Sequence, residues 1–121
     1  MKNTYILIAV VFALAGIGFF LFLVRTPAPS AAALDTFAQC LAEKKITMYG
    51  ADWCPHCQNE KNAFGDSFRF VPYVECPDNP QQCLALEVNG YPTWIFPDGR
   101  RLEGEQGLRK LSEASGCALP Q

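Results

Sequence analysis

The sequence has no excess of positive charge, and this lack excludes one broad class of function. Ten lysines and arginines stand against twelve aspartates and glutamates, which gives a formal net charge of -2 and a pI near 5.3. A protein that binds nucleic acid through its phosphates needs a basic surface. We therefore expect no nucleic-acid partner. The 121 residues are enough for one domain and little more.

Charge is missing altogether from one stretch near the N-terminus. Twenty residues from Tyr5 to Val24 carry no charged side chain, and eighteen of them are apolar. Twenty helical residues span about 30 Å, the thickness of the hydrocarbon core of a membrane. The apolar part of a cleaved signal peptide is usually shorter, about 7–15 residues. The pattern therefore predicts a retained transmembrane anchor over residues 1–25, and cleavage near Ala31–Ala33 is the alternative.

All six cysteines come later in the chain, between Cys40 and Cys117. So many cysteines in about 90 residues are typical of an oxidising compartment rather than of a cytosol. We therefore expect a single-pass protein of the cell membrane, with its globular part on the periplasmic or other extracytoplasmic side. Two prolines in residues 26–30 predict a short extended tether. The domain proper is then expected over residues 31–121.

Helical and extended patterns alternate in this second part. Apolar residues at helical spacing, prolines suited to helix starts and glycines suited to helix ends place the boundaries. The pattern predicts helices over residues 31–44, 55–64, 80–88 and 107–115, and strands over 45–50, 70–75, 93–96 and 101–103. Such alternation implies an α/β fold in which helices cover both faces of a central sheet.

The residues with the most distinctive chemistry lie where the first predicted strand meets the next helix, in the run Trp53-Cys54-Pro55-His56-Cys57. Two intervening residues put Cys54 at the helix start and Cys57 one turn further on, close enough for a disulfide. The unpaired N–H groups and the dipole of the helix stabilise a thiolate at Cys54, and a protonated His56 would add to this effect. A stabilised thiolate favours the dithiol and so makes the disulfide a stronger oxidant.

Three other interpretations of the pair are weaker. The first is a static disulfide. The second is a zinc site shared with Cys76 and Cys83, but six residues separate those two, whereas zinc-binding pairs usually have two to four. The third, covalent haem attachment, needs a histidine directly after Cys57, where Gln58 stands. We therefore expect a redox-active pair that needs no metal and no cofactor.

These motifs resemble the thioredoxin superfamily. The run around Cys54 follows a strand, Gly90-Tyr91-Pro92-Thr93 precedes a later one, and the resemblance covers about residues 46–117. The sequence CPHC is the form found in strongly oxidising members such as DsbA. The longer strings MYGADWCPHC, VPYVEC and YPTWIF are similar to the thioredoxin-like domain attached to bacterial homologues of vitamin K epoxide reductase.

The resemblance implies a thioredoxin-like fold and a role for each motif residue. Cys54 would be the exposed nucleophile and Cys57 the buried resolving cysteine, with Pro55 and His56 completing the catalytic motif. Pro92 would be a cis-proline that faces the pair. The backbone edge next to Pro92 could then receive a substrate strand.

The resemblance also suggests that Tyr91 and Trp53 belong to the substrate surface, with Trp53 as an apolar lid. The alternatives are a trans proline at the start of a strand for Pro92 and a plain core position for Trp53.

The sequence departs from the family in two respects. Thioredoxin and DsbA carry a buried carboxylate six residues before the first cysteine, where this chain has Met48. Asp52 and Glu75 are candidate substitutes, although either can equally be a solvated charge. The reductase homologues also carry a multi-helix quinone-binding domain, whereas one apolar span is present here. The redox partner is therefore expected to be a separate membrane protein that resembles vitamin K epoxide reductase or DsbB.

The other four cysteines allow three pairings. We favour Cys76 with Cys83, which would close a short loop, and Cys40 with Cys117, which would tie the first helix to the chain end. The loop-entropy model gives the long bridge about 4.5 kcal/mol and the short one about 2.5 kcal/mol. The alternative for Cys76 and Cys83 is a second redox pair that relays electrons.

Together these observations predict a membrane-anchored thiol–disulfide oxidoreductase that introduces or exchanges disulfides in secreted or periplasmic proteins. A quinone-linked membrane partner would reoxidise it. One alternative is the same scaffold as a reductant, in cytochrome maturation or in disulfide reduction. The other is a non-catalytic docking module that its disulfides stabilise.

Overall fold

The order of helices and strands follows the alternation in the sequence. The computed structural model describes residues 1–23 and 31–120, so the tether expected over residues 26–30 lies outside the described residues. The elements are α1 (Lys2–Leu23), α2 (Ala31–Glu43), β1 (Thr47–Gly50), α3 (Pro55–Phe64), a 3-10 helix (Gly65–Phe70), β2 (Tyr73–Glu75), α4 (Pro80–Ala85), β3 (Thr93–Ile95), β4 (Arg101–Glu103) and α5 (Gly107–Ser115).

Helix α1 is apolar on every side. Within the described residues it is the one helix that is long and apolar enough to cross a membrane, and none of its Lys2–Phe20 segment is buried. A signal sequence has the same composition and the same place in a chain. The structure thus contains the predicted apolar helix, and residues 24 and 25 of the expected anchor lie outside the described residues.

Four strands form one mixed sheet in the order β2-β1-β3-β4. Strand β1 is parallel to β2, with Met48 opposite Tyr73 and Gly50 opposite Glu75. On its other side β1 is antiparallel to β3, which is in turn antiparallel to β4. Strand β1 therefore lies inside the sheet, and its C-terminal end has a neighbouring strand on both sides. The predicted α/β class is confirmed.

Aromatic rings connect the helices to this sheet. Phe37 of α2 stacks on Phe64 of α3 with 5.7 Å between ring centroids, and Phe64 lies 6.2 Å from Trp94 of β3. All three side chains are buried. Because Phe64 is the last residue of α3, these contacts fix the end of that helix against the sheet.

Three boundaries differ from the sequence-based prediction by two residues or more, and the backbone gives the reason for each. Helix α4 ends at Ala85 rather than at residue 88, because Glu87 has a φ of 53°. Strand β1 begins at Thr47 rather than at residue 45, where Lys45 has a φ of 55°. Strand β2 begins only at Tyr73, because the 3-10 helix extends to Phe70 and residues 71 and 72 lead from it into the strand.

Two disulfides link distant and neighbouring parts of the domain. Cys40 of α2 is bonded to Cys117 beyond α5, over a sequence separation of 77, and Cys76 is bonded to Cys83 over a separation of 7. The structure therefore brings together the cysteines of both favoured pairs. The disulfide between Cys76 and Cys83 also leaves neither thiol free for a zinc ion.

A buried carboxylate attaches α5 to α3. The side chain of Glu60 is fully buried and accepts the backbone N–H groups of Gln106 at 2.7 Å and Gly107 at 3.0 Å. The first N–H groups of a helix have no partner inside that helix. Burial raises the pKa of Glu60, and the two N–H donors act in the opposite direction. Glu60 therefore supplies the acceptors that the start of α5 needs.

Removing this carboxylate tests its contribution to stability. Glu60→Ala leaves two N–H groups without an acceptor, and each such buried group costs about 1–3 kcal/mol. We expect the free energy of unfolding to fall by about 2–4 kcal/mol, measured by denaturant titration of the full chain in detergent. Glu60→Gln keeps one acceptor oxygen and should lose less. Equal losses in the two variants would contradict this role.

The pH dependence of stability provides a second test. The folded pKa of Glu60 lies above its ordinary value of 4.5, so the folded state holds this proton more tightly than the unfolded chain does. The stability that wild type has over Glu60→Gln should therefore be largest below pH 4.5 and should fall as the pH rises through the raised pKa. An advantage that grows with pH would contradict the raised pKa.

Candidate functional site

Two free cysteines lie where the chain turns from β1 into α3. Cys54 is the N-cap residue, with an extended backbone, and Pro55 occupies the first helical turn, where a missing N–H costs nothing. One turn later, the backbone N–H of Cys57 donates to the sulfur of Cys54 at 3.4 Å. The helix start thus directs an otherwise unpaired donor at the Cys54 sulfur.

The two thiols differ in their surroundings. Cys57 has no exposed surface and Cys54 retains 5%. Cys54 is therefore less exposed than the sequence-based prediction has it, because the segment before β3 covers it: its sulfur lies 3.6 Å from the carbonyl oxygen of Tyr91. Burial, followed by the contact with Cys54, raises the pKa of Cys57 to about 12. Cys57 is thus a protonated thiol at neutral pH.

The segment that faces the pair contains the expected proline. The Tyr91–Pro92 peptide bond is cis, and Pro92 is fully buried. Trp53 lies beside it, with its ring edge-on to that of Tyr91 at a centroid distance of 5.9 Å. The side chain of Trp53 is 72% exposed, so it is not a core residue. Trp53 and Tyr91 together form an aromatic surface next to Cys54.

His56 points away from the core and has a carboxylate partner that the sequence analysis missed. Its Nδ1 lies 2.9 Å from Oε2 of Glu105, which also accepts the amide of Asn59 at 3.1 Å. These two hydrogen bonds lower the pKa of Glu105. A negative charge therefore accompanies the imidazole that is expected to favour a thiolate at Cys54. The separation of 49 residues between His56 and Glu105 leaves no local signal for this pair.

A polar cluster lies close to Cys57; we call its members, Asp52, Lys61, Tyr73 and Glu75, the Tyr73 cluster. The Tyr73 hydroxyl donates to Oε2 of Glu75, and Oε1 of Glu75 accepts the backbone N–H of Asp52 at 2.9 Å. The Lys61 ammonium lies 2.7 Å from Oδ1 of Asp52 and 4.0 Å from the centre of the Tyr73 ring. Both carboxylates that the sequence offers in place of Met48 are therefore in one network.

The charges of the Tyr73 cluster act on each other. The hydrogen bond and the charge of Lys61 lower the pKa of Asp52. Burial, followed by the hydrogen bond to Glu75, raises the pKa of Tyr73, which is therefore a neutral phenol. Lys61 could have been suspected from the sequence, because it lies four residues after Cys57 and hence on the same side of α3. Tyr73 could not, because its place depends on the pairing of β2 with β1.

Gly50, the last residue of β1, makes these contacts sterically feasible. A Cβ at this position would lie 2.9 Å from the sulfur of Cys57 and 3.3 Å from Cε2 of Tyr73. Real Cβ atoms essentially never approach another heavy atom as closely as the first of these distances. The missing side chain of Gly50 therefore provides the space that the Cys57 thiol occupies.

No arrangement for a metal ion is found in residues 1–23 and 31–120. Within these ranges, no three or more histidine, cysteine, aspartate or glutamate side chains are grouped as metal ligands would be.

Comparisons with known proteins add two curated relatives, while no family model matches the chain. The thiol-disulfide oxidoreductase LTO1 of Arabidopsis thaliana is 40% identical over 83 residues, which cover 61% of this chain and 22% of that protein. A thioredoxin domain-containing protein 5 homolog of Drosophila melanogaster is 32% identical over 92 residues, which cover 65% of this chain and 22% of that protein. The chain thus spans about a fifth of the length of the curated relatives it matches.

A solved structure has a similar fold. The crystal structure of chloroplastic thioredoxin z superimposes with a TM-score of 0.50 and 23% sequence identity. The match covers 59% of this chain and 74% of that one. The likeness shows a shared fold.

Adding a methyl group at Gly50 tests the packing of the pair. Gly50→Ala must displace the Cys57 sulfur or the Tyr73 ring, and such overpacking costs about 1–3 kcal/mol. We expect a lower free energy of unfolding and slower closure of the Cys54–Cys57 disulfide by glutathione disulfide. Gly90→Ala is the matched control, because nothing lies within 4 Å of its added carbon. Equal effects of the two substitutions would contradict this account.

Proposed function

We propose that the chain, which has the thioredoxin-like fold that the sequence predicts, belongs to the thioredoxin-like superfamily and is a thiol–disulfide oxidoreductase whose reactive pair is Cys54 and Cys57. One observation carries this proposal. Two free thiols lie one turn apart at the start of α3, and a backbone N–H aims at the outer sulfur. This arrangement suits a nucleophile at Cys54 and a resolving thiol at Cys57. The similarity to the Arabidopsis thiol-disulfide oxidoreductase supports the same chemistry.

The proposed reaction starts from the disulfide form of the pair. A substrate thiolate attacks the sulfur of Cys54, a mixed disulfide forms, and Cys57 leaves with the electrons of the broken bond. A second substrate cysteine, as thiolate, then displaces Cys54. The substrate gains one disulfide, and the protein gains two electrons and, with two protons from solvent, becomes the dithiol. A separate membrane protein takes these two electrons, passes them to a quinone and restores the Cys54–Cys57 disulfide.

The proposed substrate surface comprises Trp53, Tyr91 and Pro92. Trp53 presents an exposed ring beside Cys54, and the Tyr91 carbonyl is 3.6 Å from the reacting sulfur. An extended substrate segment can lie along this backbone edge while its cysteine reaches Cys54.

We further propose that α1 anchors the protein in the cell membrane, with the globular part on the extracytoplasmic side. The length and composition of α1 suit a membrane span. The two disulfides, Cys40–Cys117 and Cys76–Cys83, suit an oxidising compartment. The CPHC motif supports a grouping with DsbA and with the thioredoxin-like domains of the bacterial vitamin K epoxide reductase homologues.

One observation favours the opposite direction of electron flow. Glu105 is paired with His56, and its negative charge offsets the positive charge that would stabilise a thiolate at Cys54. A less stable thiolate makes the disulfide harder to reduce and the dithiol a better reductant. An anchored reductant for cytochrome maturation or for mispaired disulfides is therefore the second candidate.

Trapping of mixed disulfides tests the proposed function. Cys57→Ala removes the resolving thiol, so substrates should stay bonded to Cys54 in cells. We expect secreted or periplasmic proteins with cysteines, together with a quinone-linked membrane protein, to be identified by mass spectrometry. The variant with both Cys54→Ala and Cys57→Ala is the control and should trap none. Identical captures by the two variants would contradict the proposal, and capture of apocytochrome would favour the reductant.

A charge substitution tests which direction the site favours. Glu105→Gln removes the negative charge beside His56, so the dithiol form should gain stability. We expect the equilibrium between the protein and glutathione to shift about two- to fivefold toward the dithiol, the size typical of an exposed ion pair. Glu103→Gln, which removes an exposed charge from β4, is the control and should shift it less. An unchanged or opposite shift would show that Glu105 does not tune the pair.

A further inference from the structure

The proposed reaction requires a proton at the Cys57 sulfur, and the two cysteines alone do not supply it. When a thiolate attacks Cys54, the bond to Cys57 breaks, and the departing sulfur becomes a fully buried group. A thiol of high pKa is a slow leaving group as a thiolate. A proton that reaches the Cys57 sulfur as the bond breaks removes this penalty, and the reverse reaction requires the same proton to leave.

One polar side chain lies near that sulfur and is hydrogen-bonded to a second. The Cys57 sulfur and the Tyr73 hydroxyl oxygen lie 2.9 Å and 3.5 Å from the same point, the place that a Cβ of Gly50 would take. The two atoms therefore border the same small space, where one water can connect them for proton transfer. Tyr73 in turn donates its hydroxyl proton to Glu75. The path from Cys57 thus leads through the phenol to a carboxylate.

The sheet register explains why this path replaces the missing carboxylate of β1. Met48, which stands where the resemblance expects a carboxylate, is fully buried and pairs across the sheet with Tyr73. Gly50 pairs with Glu75 in the same register. Since residues two apart in a strand face the same side, Tyr73 and Glu75 present their side chains together beside the end of β1.

We propose that Tyr73 and Glu75 form a proton-transfer pair that serves Cys57, an inference that rests on the proposed redox function. When Cys57 leaves, the Tyr73 hydroxyl gives its proton to the Cys57 sulfur, and Glu75 passes a proton from solvent to Tyr73. When Cys57 attacks a mixed disulfide at Cys54, its thiol proton passes to Tyr73 while the hydroxyl proton of Tyr73 passes to the Glu75 carboxylate. No electrons move along this path.

The other titratable groups near this path are Cys54, Asp52 and Lys61. Lys61 is held by Asp52 at 2.7 Å and lies over the Tyr73 ring, so its positive charge offsets those of the two carboxylates. Its charge also acts on Cys57 and lowers the pKa of that thiol against the larger effect of burial. As an ammonium ion Lys61 cannot accept a proton, whereas the carboxylate of Glu75 can.

The test separates the step that needs the proton path from the step that does not. The full chain in detergent, with both structural disulfides intact and the Cys54–Cys57 pair reduced, is mixed with glutathione disulfide. The first phase forms the mixed disulfide at Cys54, and the second phase, in which Cys57 attacks, releases glutathione. Acid quenching followed by mass measurement resolves the two phases, and Cys57→Ala shows the first phase alone.

We expect Tyr73→Phe and Glu75→Gln each to slow the second phase about 10- to 100-fold at pH 7, because each removes one member of a general acid–base path. The first phase should stay within about twofold of wild type, since it does not require the proton of Cys57 to move. The second phase should also become more pH-dependent in both variants and rise about tenfold per pH unit, because hydroxide must then take the proton. A merely structural role would not produce this change in pH profile.

Tyr49→Phe is the matched control. Tyr49 is buried on β1 next to Gly50 and packs with Cys76 and Cys83, so the substitution removes a phenol hydroxyl nearby without touching the path. Its second phase should equal that of wild type. Near-UV circular dichroism shows whether each variant folds, and if Tyr73→Phe does not, Glu75→Gln alone decides.

Each result has a definite meaning. A second phase of unchanged rate and pH profile in the folded variants would overturn the proton-transfer pair while leaving the redox function intact. An equal slowing in Tyr49→Phe would also overturn it, because the effect would then not be specific to Tyr73. If wild type itself forms no mixed disulfide at Cys54, the proposed redox function fails.

Discussion

The approach of the Cys57 sulfur to the backbone of Gly50 is the constraint on which the rest of the site depends. A sulfur atom takes the space that a Cβ would need, so α3 can lie directly against the end of β1. With the helix in this position, Cys54 caps its N-terminus and receives the N–H of Cys57. The phenol of Tyr73, on the neighbouring strand β2, lies next to the same space. One absent side chain thus determines the place of three chemical groups.

Two carboxylates act on opposite ends of this arrangement and come from different parts of the chain. Glu105 precedes α5 and contacts His56 beside the outer thiol, whereas Glu75 ends β2 and lies near the inner one. The first affects the charge balance around Cys54, and the second offers a place for the proton of Cys57. Because the two contacts are separate, the redox equilibrium and the rate of closure can vary independently.

Local features of the sequence predict much of this structure. Contacts between residues that lie far apart in the sequence could not be predicted from it. The start of α3 follows from Pro55 and the spacing of the cysteines, since both act within one helical turn. The Tyr73 and Glu105 contacts depend on strand register and on a loop 49 residues from His56, which no local pattern encodes. The boundary at Ala85 was predicted wrongly for a related reason, because Glu87 has a positive φ that a non-glycine residue rarely adopts and that no local pattern signals.

The bond between Cys40 and Cys117 also decides how the protein responds to mechanical load. It closes a covalent loop around residues 41–116, which contain the sheet, α3 and both reactive thiols. A pull applied between the two ends of the chain passes from Cys40 to Cys117 through the sulfur–sulfur bond. Tension can therefore extend only the residues before Cys40 and those beyond Cys117. A force applied through the ends of the chain therefore does not stretch the backbone around Cys54.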